Sequence, residues 1–91
     1  MGILTIVKRV KEIHPDYVTI VNIGKFYYTY GKDSYITSYL LGYKLNKFED
    51  VSRCGFSDNC INKVMAKLEQ NKINYLLLDR KNNYDKIFKK A

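Results

Sequence analysis

Residues Gly24-Lys25-Phe26-Tyr27-Tyr28-Thr29-Tyr30-Gly31 constrain the fold more than any other part of this chain. Rings and a threonine in consecutive positions suit a pleated strand, and a glycine punctuates each end. Extended geometry sends Phe26, Tyr28 and Tyr30 to one side and Tyr27 and Thr29 to the other. One side is expected to pack on a core, which leaves the other as a flat, ring-rich surface. Tyrosines also fill strands well with no binding role at all. The net charge fits either a polyanionic partner or simple solubility. Sixteen Lys and Arg stand against nine Asp and Glu, a formal charge of +7. Rings set among cations suit nucleic acid, which offers bases to stack on and phosphates to neutralise.

The neighbouring segments build a domain around this strand. Tyr17 to Ile23 is β-branched and apolar on both sides except at Thr19 and Asn22, the pattern of a central strand. Gly24-Lys25 is short enough to join the two as a hairpin. Upstream, Ile3, Ile6, Val7, Val10 and Ile13 recur at helical spacing opposite Lys8, Lys11 and Glu12, predicting an amphipathic helix of about three turns. His14-Pro15-Asp16 ends it, since a residue before proline avoids helical geometry. His14 therefore reads as a helix-end residue; no partner nucleophile supports a catalytic role.

Downstream, Asp33 is placed to cap a short helix carrying Ile36, Tyr39 and Leu40 on one side, with Gly42 as its stop. Tyr43 to Phe48 and Val51 to Phe56 read as strands joined by a Glu49-Asp50 turn. Ser57 or Asp58 then caps a helix whose Ile61, Val64, Met65 and Leu68 face inward and whose Lys63, Lys67 and Glu69 face out. Asn71 is expected to end it in left-handed geometry. Ile73 to Leu78 reads as a buried strand, and the remainder, with Tyr84, Ile87 and Phe88, as a docked basic helix. The expected fold is one mixed α/β (α+β) domain over residues 1–91, with helices packed on a mixed sheet of about five strands.

Composition narrows the function classes. Ninety-one residues hold one modest core and no separate motor or catalytic domain. The positive charge is spread along the chain, so no basic tail stands apart. Two cysteines, Cys54 and Cys60, do not make a disulfide framework, and Cys54 reads as a small buried apolar group. With His14 as the single histidine, a metal site is not expected, nor any cofactor. No run is long and apolar enough to span a membrane, and the first residues fit neither a signal peptide nor an acylation site, so a cytoplasmic protein is expected.

Taken in order, these segments resemble the N-terminal mismatch-recognition domain of the MutS family of DNA mismatch-repair proteins. His14-Pro15-Asp16 precedes a buried strand as in that family. Gly24-Lys25-Phe26-Tyr27-Tyr28 is similar to its Gly-Asp-Phe-Tyr-Glu segment, and Tyr30-Gly31-Lys32-Asp33-Ser34 to its acidic helix start. Cys54-Gly55-Phe56-Ser57 resembles the Cys-Gly-Val-Pro before its next helix, and Ile73-Asn74-Tyr75-Leu76-Leu77-Leu78 occupies the place of the strand that follows. The resemblance implies a stand-alone domain of MutS domain I type. It also implies that Phe26 matches the phenylalanine that wedges into the minor groove, and Tyr28 the glutamate that hydrogen-bonds the mispaired base. Strand geometry accounts for the two-residue spacing, which puts both side chains on one face. Tyr28 in place of a carboxylate and Lys25 in place of an aspartate imply a more positive site with weaker mismatch selectivity. No Gly-x-x-x-x-Gly-Lys-Ser/Thr phosphate loop is present, so no ATPase activity is expected.

Three readings follow. In the first, the chain binds mismatched or distorted DNA, with Phe26 and Tyr28 stacking and Lys25, Lys44, Lys47 and Arg53 near phosphates. In the second, it is an accessory module whose aromatic face docks a protein partner, as Tyr and Phe often do at interfaces. An enzyme is the third and is not expected: Asp33, Glu49, Asp50 and Asp58 are scattered over turns and caps rather than clustered on a metal.

Overall fold

The computed structural model describes residues 2–79 and, as backbone, 85–89. Its elements are α1 (Ile3–Ile13), β1 (Val18–Ile23), β2 (Phe26–Tyr30), α2 (Lys32–Leu41), β3 (Leu45–Phe48), β4 (Val51–Ser57), α3 (Ile61–Gln70), β5 (Tyr75–Asp79) and β6 (Asp85–Lys89), with a 3-10 turn at Asp58–Cys60. The strands form one sheet in the order β3-β4-β2-β1-β5-β6. β1 runs parallel to β5 and every other pairing is antiparallel, so the sheet is mixed. The expected fold class holds.

The β-branched β1 lies at the centre, and Val18, Thr19, Ile20 and Val21 are all buried. Its alternation feeds two cores. Val21 joins Val7 and Val10 of α1, Tyr30 of β2, and Leu76 and Leu78 of β5. Val18 and Ile20 join Val64 and Leu68 of α3, Phe56 of β4 and Tyr75 of β5. Helix α1 therefore covers one face of the sheet, and α2 with α3 covers the other. Helix and strand periodicities decide which side chains enter each core.

Lys11 and Asp33 tie the layers together. Lys11 Nζ donates to the carbonyls of Pro15 at 3.3 Å and Tyr17 at 2.7 Å, and to Asp33 Oδ1 at 3.1 Å. The other carboxylate oxygen accepts the Thr19 N–H at 3.0 Å. Asp33 is thus no helix cap. Gly31 holds the N-cap position, and the buried Asp33 carboxylate joins α2 to β1 and α1.

Other local expectations are corrected. Tyr39 points to solvent at 87% exposure, whereas Ile36 and Leu40 pack inward. Gly42 ends α2 in left-handed geometry as read from the sequence. After α3, however, that geometry falls on Lys72 at φ 58°, because Asn71 keeps φ −95°. The last segment is a strand, not a helix: Ile87 and Phe88 pair with Leu77 and Leu76. Tyr84 lies outside the described residues.

The turn between β3 and β4 holds two non-glycine residues at positive φ, Glu49 at 50° and Asp50 at 65°. Left-handed geometry strains a side chain at its Cβ, and such two-residue turns favour Asn-Gly. Glu49→Asn with Asp50→Gly is expected to stabilise the domain by about 1 kcal/mol. A calorimetric scan should register this as a rise in Tm of about 4–8 °C.

Candidate nucleic-acid interface

Phe26 begins β2 directly after the Gly24-Lys25 turn, where Gly24 supplies the positive φ of 63° that a two-residue hairpin needs. From there the rings descend into the protein. Phe26 is 50% exposed, Tyr28 is half-buried and Tyr30 is buried. Ring centres lie 6.3 Å apart from Phe26 to Tyr28, 6.4 Å from Tyr28 to Tyr30, and 6.0 Å from Tyr30 to Phe48 of β3. These spacings fall in the range of attractive aromatic pairs.

The expectation of one wholly open face is corrected here. Helix α1 packs over the Tyr30 end, where Leu4, Val7, Tyr30 and Val51 line one groove. Exposure is confined to the hairpin end of the strand. On the opposite side Tyr27 stacks on Phe56 at 5.8 Å, and Thr29 donates to the Cys54 carbonyl at 3.4 Å. That side is core.

Register places Gly55 of β4 beside Tyr28, and Arg53 beside Tyr30. A Cβ on Gly55 would stand 2.7 Å from Tyr28 Cε1, so the Tyr28 ring lies against β4 only because no side chain is there. The Arg53 guanidinium carbon is 4.7 Å from the Tyr28 ring centre and 5.0 Å from that of Phe48. Arg53 Nε also donates to Asn46 Oδ1 at 3.1 Å. Gly55, Phe48 and Asn46 escaped sequence reasoning. The signal was present in the alternation of β4, since residues 53 and 55 must share a side once β4 pairs with β2.

Gly55→Ala is expected to drive the Tyr28 ring off β4 and to cost about 1–3 kcal/mol, the usual range for overpacking. Urea unfolding measures the loss, and the near-ultraviolet dichroism of tyrosine reports the displaced ring.

The cations identified from sequence fall in different places. Lys25 is exposed in the turn next to Phe26, and Arg53 flanks Tyr28. Lys47 pairs with Ser52, which puts it on the α2 side of the sheet, away from Phe26 and Tyr28. Lys44 is exposed in the link between α2 and β3. Two of the four cations thus accompany the rings.

Cys54 is fully buried, and burial pushes its thiol pKa up, disfavouring the thiolate a nucleophile needs. Among the described residues no helix is long and apolar enough to cross a membrane.

A mixed sheet with helices on both faces and a hairpin end presenting rings beside cations define a small basic α/β domain. The family model for MutS domain I matches residues 1–86, and the chain belongs to that family, whose first domain is a module of the mismatch-recognition type. No curated protein is significantly similar to it in sequence.

Proposed function

We propose that this domain binds mismatched or distorted DNA through the hairpin end of its sheet, without catalysing a reaction. The observation that supports this most is Phe26, a large apolar ring half exposed at a strand end beside Lys25 in a chain of net charge +7. Exposing such a ring to water gains nothing for folding. Wedged into an opened base step, it offsets lost stacking, and a mispaired step is the cheapest to open. Tyr28 lies two positions on along the same side of β2, where its ring stacks on a base beside Phe26. Lys25 and Arg53 supply positive potential on that side, and Lys44 and Lys47 add to the overall basic charge away from the rings.

The test is a titration of perfectly paired and singly mismatched duplexes across a salt series. Binding that falls steeply with salt and favours the mismatch supports the proposal; no binding at low salt removes it. A second reading, contact with a protein partner, has an observation of its own. Tyr35, Tyr39 and Leu45 are exposed around α2, on the side of the sheet away from Phe26. Capture of a partner that survives nuclease treatment and is lost with Tyr39→Ala would favour it.

A further inference from the structure

We propose that Arg53 acts on DNA through Tyr28, as a clamp that fixes the Tyr28 ring into a rigid stacking floor beside Phe26. The inference rests on the function proposed above and sharpens it, because it says how the site selects.

The geometry supplies each part of the clamp. The guanidinium contacts the rings of both Tyr28 and Phe48, at 4.7 and 5.0 Å from their centres. Its Nε bond to Asn46 Oδ1, at 3.1 Å, fixes the roll of the plane. Gly55 lets the Tyr28 ring settle against β4, where any Cβ would collide with it. Phe26 completes the row at 6.3 Å with its plane tilted by 34°. A ring confined in this way has surrendered its rotamer freedom before a base arrives, so less ordering remains to oppose binding.

Arginine is required for this, and lysine is no substitute. A planar guanidinium stacks on two rings while donating through Nε; an ammonium is a strongly hydrated point charge with neither property. The clamp has a consequence for selectivity. A side chain that recognises bases by hydrogen bonding distinguishes them by the groups they present, whereas a fixed ring stacks on any base. The site therefore selects an unstacked base and tolerates its identity.

Arg53→Lys separates the clamp from the charge. With a duplex carrying one extrahelical base, this variant is expected to bind about 3- to 30-fold more weakly than wild type. The slope of log affinity against log salt should be unchanged, because the charge is kept. In the free protein, the Tyr28 ring resonances, assigned with Tyr28→Phe, should move toward those of an unrestrained tyrosine. Phe48→Leu removes the guanidinium's second ring contact without touching charge, and should move the same resonances; it carries the test if Arg53→Lys does not fold. Wild-type affinities for four duplexes differing only in the extrahelical base should agree within about threefold.

Unchanged affinity and unchanged ring resonances in Arg53→Lys would overturn the clamp. So would a weakened affinity with a shallower salt slope, the mark of a plain phosphate contact, or a strong preference for one base. If no duplex binds to wild type while the resonances move as described, the clamp stands and the nucleic-acid reading falls.

Discussion

Phe26→Ala is expected to weaken binding of a mismatched duplex by about 1–3 kcal/mol, roughly 5- to 150-fold, the usual worth of one base stacked on an aromatic ring. The same change should barely affect folding. Phe26 is half exposed at a strand end, where truncations stay within about 0.5 kcal/mol. The ratio of the two effects is the diagnostic. Fluorescence-anisotropy titration and thermal melting on the same samples give both, and equal affinity for wild type and variant would exclude the wedge. Lys25→Ala offers a contrast, since loss of one phosphate contact should lower the salt slope by about 1 and affect matched and mismatched duplexes alike.

The largest effect on stability is expected at Asp33. Asp33→Ala leaves Lys11 without its carboxylate and the buried Thr19 N–H without an acceptor. Breaking a buried pair by removing one partner costs about 3–5 kcal/mol, and the low end applies because the Lys11 side chain keeps 27% exposure. About 3 kcal/mol is a large share of the stability of so small a domain and lowers Tm by roughly 12–24 °C. Lys11→Met should act in the same direction, and the double variant should cost less than the two singles together.

The same carboxylate sets a pH dependence. Burial pushes the Asp33 pKa up from its ordinary 3.8, and the Thr19 N–H and Lys11 counteract only part of that push. The folded chain thus binds this proton more tightly than the unfolded chain does. The proton-linked part of the Asp33 contribution to stability is full below 3.8 and is lost as pH rises from there through the raised folded value, while the bonds to Lys11 and Thr19 persist. Asp33→Asn removes this loss, so denaturant midpoints of wild type and Asp33→Asn should draw apart as pH rises over that window.

Much of the fold was legible because strong local patterns agreed with the tertiary outcome. The helix through Val7 and Val10, the central strand at Ile20 and Val21, the Gly24-Lys25 hairpin and the Gly42 stop each follow from periodicity or backbone freedom. The misread segments lacked such agreement. Residues 85–89 carry Ile87 and Phe88 at a spacing that fits helix or strand, and only the open edge of β5 decides for a strand. Asp33 has the sequence context of a cap, yet the approach of Lys11 and Thr19 turns it into a buried tie. At the site, Phe26 and Tyr28 were visible as alternating rings. Arg53 was visible as charge, and its sharing a side with Gly55 followed from the alternation of β4. That this side lies against Tyr28, Phe48 and Asn46 depends on strand pairings distant in sequence.

The order of residues alone determined that this chain builds helices and a sheet and carries a basic excess with rings at alternate positions along one strand, since those properties depend on neighbours a few residues apart. Tertiary structure decided which ring reaches water. Helix α1 covers Tyr30 and stops short of Phe26, and β4 brings both a glycine and an arginine against Tyr28. Exposure and stacking are properties of surfaces that meet across the fold, and no local pattern encodes which surfaces meet.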